Sequence, residues 1–471
     1  MILTKSVSYN FGIATLSRLL INALSLVLVI ILTRYLGPSA FGHYSAAMAY
    51  IFIVGIFAGM GLHLILVREI SRHDEEESVI TSKLFTLRLI LVIGITLIAV
   101  LIAQALPYEP EVNSGIMIVA LFLILSSMVQ LLMGLFQKHL NVYLVSIADI
   151  IARIVQLGLT VLLVVTDKLT LMWVFWIVVL SEVVHFVIVF LWARRLTQIK
   201  WMVDTEYWKR ILRTSLPVAA SLLFTLLYFR IDTVFLSLMR SAEEVGHYAV
   251  AYKVLEMTIF IPALYIGLIM PLMSKQAFHN IAQFKNIFRR AFDILAVMAF
   301  PAVVFLFLTA GQIVHIIGGN EFLASGPLLK ILTIAIFAIF FGNLGGHALI
   351  ALNLQVKGMW IYLGGAVINI VTNAIFIPRY GASAAAWTTV ATEVFVVIAM
   401  FVIIYKSSNT GIPLFRFGRC VLAALIMGII VLPFTENFVI ALIAGLTYIP
   451  IVFLLGGIKT QDIRGALKFN Q

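Results

Sequence analysis

The sequence predicts an all-α integral membrane protein of about fourteen transmembrane helices, and three observations carry that fold class. Of its 471 residues 62% are hydrophobic and only 11% charged, where soluble chains carry about a quarter charged. Apolar runs such as Leu87–Leu106 approach the ~20 residues that span a bilayer core. Inside lipid, backbone groups are satisfied only within helices or closed barrels, and the alternating pattern of a barrel strand is absent. Lastly, basic residues sort by side. With the N-terminus in the cytoplasm, 22 Lys and Arg fall in inside segments and only Arg34, Lys168, Arg240 and Arg379 fall outside. That imbalance obeys the positive-inside rule with both termini cytoplasmic.

Apolar runs between turn and charge signals place the spans at 10–33, 41–66, 84–106, 114–136, 142–166, 170–192, 214–239, 245–271, 291–311, 327–351, 357–377, 382–405, 416–434 and 437–457. The first contains Arg18 and Asn22 and is too long for a signal-peptide h-region. The second opens after "LGPSAF", where Gly37 stops a helix and Ser39 is a candidate cap. Helix 8 opens after Ser241-Ala-Glu-Glu244, a capping-box pattern. Pro262 and Pro271 are positioned to bend helix 8. The stretch 274–292 alternates Phe and Ile with basic residues and reads as a segment lying on the inner membrane surface.

The halves repeat. Gly-His-Tyr occurs at 42–44 and 246–248, and "LSEVVHFVIVFLWARR" (180–195) resembles "ATEVFVVIAMFVIIYK" (391–406), with Glu182 matched to Glu393. Six helices separate equivalent positions, so the copies share an orientation, as parallel repeats do. Residues 1–193 form a first six-helix bundle, 194–213 a cytoplasmic linker, 214–406 a second bundle, and 407–471 two added helices and a tail. The motif's tyrosines, Tyr44 and Tyr248, are expected in the interfacial aromatic belt.

The lone Cys420 excludes an internal disulfide and a cysteine metal cluster. The net charge of +11 reports topology rather than nucleic-acid binding. No nucleotide-binding motif is present, and no loop is large enough for a soluble catalytic domain, so neither an ATPase nor an enzyme is expected.

The phrases "LTRYLGPSAFGHYSAAMAY" (32–50), "GLHLILVREISR" (61–72) and "NAIFIPRYGASAAAWTTVATEV" (373–394) resemble the Wzx-like polysaccharide flippases of the multidrug/oligosaccharidyl-lipid/polysaccharide (MOP) exporter superfamily. The resemblance covers essentially the whole chain. It implies two six-helix bundles around a central cavity, in the cytoplasmic (inner) membrane. It also implies a polyprenyl-pyrophosphate-linked oligosaccharide as substrate, turned to the outer leaflet by alternating access, with membrane lipids and glycan polymerase machinery as partners. The alternatives are a cation-coupled multidrug exporter of the same superfamily, a peptidoglycan-precursor flippase, or a membrane-embedded glycan polymerase or ligase.

Charges inside apolar spans cost roughly 2.5–3.5 kcal/mol each at the bilayer centre and so mark candidate sites. Thr15, Arg18, Asn22 and Ser25 form one stripe on helix 1; Ser221, Thr225, Tyr228 and Asp232 form another on helix 7. Arg230, two residues from Asp232, points elsewhere. Lys253 and Glu256 stand three apart on helix 8, where the first repeat has Ala49 and Phe52. Arg18, Asn22, Arg230 and Lys253 are the candidates for binding pyrophosphate, and Asp232 and Glu256 for a coupling proton or sodium ion. No cofactor or metal is expected. Asp149 with Arg153 reads as a structural pair, Glu182 with His185 as bundle-stabilising contacts, and Arg88 as a side chain snorkelling to the interface.

Overall fold

The computed structural model describes residues 2–72, 76–213, 215 and 230–457, with the side chains of residues 2–15, 414 and 415 outside that description. All regular structure among the described residues is helical, and ten helical stretches are long and apolar enough to cross a membrane. Two of them are long enough for two crossings. α1 (Ile2–Gly59) has 58 residues, about 87 Å at 1.5 Å per residue, against a hydrocarbon core of roughly 30 Å. Gly37 (φ 73°, ψ 177°) breaks it. α11 (Gln355–Ser408, 54 residues) is broken at Gly381 (φ 57°, ψ −139°). Positive φ with extended ψ is essentially confined to glycine, so each glycine folds one continuous apolar stretch into two arms. Both breaks fall where the sequence places external turns.

Contacts divide the chain into two units, Met1–Gly246 and His247–Gln471. In the first, α4 (Pro110–Lys138) packs on α1, α2 (Leu62–Arg72), α3 (Glu77–Ala105) and α6 (Leu171–Leu196), and α5 (Val142–Val165) packs on α1 and α6. Leu62, Leu66, Leu84, Leu132, Phe136 and Val189 form its core. α7 (Ile231–Met239) is the described end of predicted helix 7; the Ser221, Thr225 and Tyr228 part of its stripe lies outside the described residues. α8 (Ala242–His279) runs unbroken past Pro262 and Pro271. In the second unit α10 (Ser325–Ala351) packs on α9 (Ile281–Gly318) and α11, and α12 (Leu414–Val431) lies on α9. α13 (Phe438–Gly445) and α14 (Tyr448–Leu454) close the described chain.

The stretch 274–292 departs from its expected surface role. It forms the adjoining ends of α8 and α9 around Asn280, whose side chain accepts from the Gln283 amide. Phe284 and Phe288 are fully buried, and the Phe292 ring lies 4.7 Å from that of Phe341. Phe284, Phe288 and Phe292 thus pack against protein, whereas Phe278 is exposed.

Arg88 does not snorkel. It is 1% exposed and donates to the carbonyls of Ala58 and Gly59 and to Gln130 Oε1 at 2.9 Å. Those carbonyls end α1 where the chain unwinds through Met60 and Gly61, both at positive φ, before α2 begins. The terminal carbonyls of a helix lack intrahelical donors, and in an apolar interior a buried guanidinium supplies them.

The segment after α6 is docked along α3. The Lys200 amide donates to Ser82 Oγ (2.9 Å) and that of Met202 to Thr86 Oγ1 (3.1 Å). Lys83 Nζ pairs with Asp204 at 2.7 Å. Asp204 also accepts from the Tyr207 amide at 2.9 Å, capping a short helix over residues 205–213. The Lys83 hydrogen bond, followed by that amide, holds the Asp204 carboxyl below its ordinary range.

Candidate functional site

Within the first unit the repeated Gly-His-Tyr motif is a packing device. A Cβ on Gly42 would overlap the Ala242 carbonyl oxygen, and one on Gly246 would overlap that of Pro38. Two helix starts therefore meet backbone to backbone, each through its glycine. The histidines diverge. His43 Nε2 lies 2.8 Å from Glu109 Oε2, whereas His247 Nδ1 meets the Ser325 hydroxyl at 3.3 Å. Tyr248 does not face the lipid interface: it is fully buried with its hydroxyl 3.2 Å from Thr389 Oγ1, while Tyr44 is half-buried against Phe175. The capping box forms in part, with the Glu244 amide on Ser241 Oγ (3.4 Å) while the Glu244 carboxylate turns to Arg240 (2.6 Å).

The predicted substrate residues divide between the units. In the first, Arg18 is exposed and Asn22 and Ser25 are half-buried; the side chain of Thr15 lies outside the described residues. Arg230 precedes α7, its guanidinium 5.2 Å from the centroid of the Phe52 ring, a cation–π distance. Asp232, 1% exposed, is in the first turn of α7, where the helix dipole favours an anion. In the second unit Lys253 Nζ reaches Glu256 Oε2 at 3.2 Å, both half-buried. The three-residue spacing thus places the two side chains as a local ion pair. Phe52, the first-repeat counterpart of Glu256, is the residue that faces Arg230.

Two polar networks exceed what sequence reasoning assembled. On α5 and α6, Arg153 contacts Asp149 (3.5 Å) and Gln156 (2.9 Å), and Glu182 contacts His185 (3.3 Å). The helices that carry the two groups pack on each other. On α11, Asn373 donates to Asn369 Oδ1 (2.9 Å) and Asn369 to Thr392 Oγ1 (3.5 Å), with Glu393 beside them, all at most 3% exposed. The signal for the second was available: two asparagines four apart in an apolar run, facing a threonine-rich return across Gly381.

The sequence profile described as "Polysaccharide biosynthesis protein" matches residues 7–277, more than half of the chain. The chain belongs to that family. A second profile, MatE, matches residues 217–375. No curated protein matches the sequence. Among solved structures, the lipid II flippase MurJ in an inward closed conformation superposes with a TM-score of 0.80 at 13% identity, covering 96% of this chain and 99% of that one. An inward-facing multidrug resistance MATE family transporter of the MOP superfamily gives 0.69 at 15% identity over 82% and 94%. An outward-facing MATE structure gives 0.59 at 15% identity over 86% and 95%. This family member is a multi-pass membrane protein with the MOP-superfamily transporter fold.

Proposed function

We propose that this family member is a flippase for lipid-linked oligosaccharides, moving a polyprenyl-pyrophosphate-linked glycan repeat from the cytoplasmic to the outer leaflet by alternating access. The observation that carries the reading is membership of a polysaccharide biosynthesis family in a chain whose fold superposes on a lipid II flippase over 96% of its length. The electrostatics support it. A pyrophosphate is costly to bury in hydrocarbon, and Arg18, Arg230 and Lys253 offer cations along otherwise apolar helices while the prenyl chain stays in lipid. Asn22 adds hydrogen bonding, and Asp232 and Glu256 are the residues through which a proton or sodium ion would bias the two states.

The accompanying arrangement is also a proposal. It comprises fourteen crossings with both termini cytoplasmic, bundles over 1–193 and 214–406 about a central cavity with 194–213 as linker, the added segment 407–471, an inner-membrane location, and partnership with glycan polymerase machinery. The MatE match over 217–375 keeps a multidrug exporter as the second reading.

The test is sidedness of a polyprenyl-pyrophosphate oligosaccharide in liposomes, read by an impermeant sugar-cleaving enzyme. Protein-dependent crossing, cut at least tenfold by Arg230→Ala or Lys253→Ala, is expected. Export of an organic cation without lipid crossing would overturn the reading.

A further inference from the structure

The first unit carries a cluster that the flippase reading does not use. His43, Glu109 and Glu111 each offer one ligand atom, and these atoms all lie within 4.8 Å of one another. His43 is 9% exposed, held in the helix that follows the Gly37 break. Glu109 stands at the N-cap position of α4 without capping it; its carboxylate turns to His43 Nε2 at 2.8 Å instead. Glu111, in the first turn, is exposed and has the side-chain freedom to close on an ion.

His43 and Glu109 line a cavity of about 410 Å³ together with Arg240, Ser241 and Glu244. The one cation on that wall is engaged, Arg240 with Glu244 at 2.6 and 3.0 Å, so it does not oppose a second positive charge. Two buried oxygens in the segment that carries Glu109 and Glu111 lack a hydrogen bond of good geometry. Tyr108, 8% exposed, sits between the cavity-lining Pro107 and Glu109, near Ser237 on the same wall, and its hydroxyl has no hydrogen bond of good geometry. Asn113 Oδ1, one helical turn on from Glu109, is likewise without a partner.

We propose that His43, Glu109 and Glu111 bind a divalent transition-metal cation of the zinc class. One imidazole and two carboxylates match a 2+ ion in charge and in ligand type, at bond lengths of about 2.0–2.2 Å, and imidazole argues against calcium or magnesium, which take oxygen ligands. The remaining positions face the cavity and hold water. The duplicated motif supplies its own control, since His247 meets a serine where His43 meets a glutamate. The site stands independently of the lipid substrate proposed above.

The experiment uses tag-free, chelator-stripped full-length protein in detergent, titrated with Co²⁺ and followed by visible absorption. A band saturating at one Co²⁺ per chain, bleached by Zn²⁺, is expected in the wild type and in His247→Gln. It is expected to vanish in His43→Gln and to need at least tenfold more Co²⁺ in Glu111→Gln, an exposed position unlinked to folding. A Zn²⁺-dependent rise in Tm should follow the same pattern. Absence of the band, or a band unchanged in His43→Gln and Glu111→Gln, overturns the proposal.

Discussion

Replacing Arg88 with methionine tests whether the unwound Gly59–Gly61 segment is held from α3. The substitution keeps an unbranched side chain of similar length and removes every donor to the Ala58 and Gly59 carbonyls and to Gln130. A buried acceptor left without a donor costs about 1–3 kcal/mol, so the two carbonyls together set about 2–6 kcal/mol. Part is returned because a charge no longer has to be kept out of water. A net loss of about 2–4 kcal/mol follows. Arg88→Lys retains the charge but presents one nitrogen where the guanidinium forks to three acceptors, and should fall between wild type and Arg88→Met. Tm in detergent, read by tryptophan or thiol-reactive dye fluorescence, orders the three proteins. Equal Tm for wild type and Arg88→Met would refute the assignment, because it would mean that water or another donor already serves those carbonyls.

Three further outcomes are expected. Gly246→Ala drives a methyl into the Pro38 carbonyl, and should destabilise by more than the roughly 1–3 kcal/mol of ordinary overpacking, read as a lowered Tm in detergent; an unchanged Tm would show that the contact is loose. Gly381→Ala strains a backbone region closed to other residues, by about 1–3 kcal/mol, and should lower the yield of folded protein, whereas alanine at Gly158, which has open space around it, should not. Asp204, held below its ordinary value of 3.8, stabilises the docked segment above that pH and loses the contribution as pH falls through its depressed folded value. Wild type should therefore lose more protease resistance at residues 197–213 than Asp204→Asn does when pH drops from 5 to about 3; parallel losses would exclude the pair as the cause.

Hydropathy made the helices legible because a long apolar run has few other fates; Gly37 announced the first hairpin break, and the gap between apolar runs at 378–381 located the second. What the pattern could not tell was which face meets lipid and which meets protein, since both are apolar. Hence Phe284 and Phe288 read as membrane-seeking although they are buried, and Tyr248 read as an interfacial anchor although it is packed inside. The break at Gly59–Gly61 lacks proline or charge, so it passed as continuous helix, and Arg88 then had no visible reason to be inside. For the candidate site, i,i+3 spacing sufficed for Lys253–Glu256, because that contact is local. The approach of Glu109 to His43 spans 66 residues, and nothing in either segment points to the other.

The contact between Gly42 and Gly246 has a further consequence. Pro38 lies 204 residues before Ala242, the same interval that separates Gly42 from Gly246, so each copy offers its glycine to the other's carbonyl at the matching position. Such a surface is its own complement, the defining property of a two-fold dimer interface. A gene encoding one half would already have specified both sides of this contact, and a single glycine substitution would have struck it twice. In a single chain each side can change alone, and the histidines beside the glycines differ, one turned toward a carboxylate and the other toward a hydroxyl.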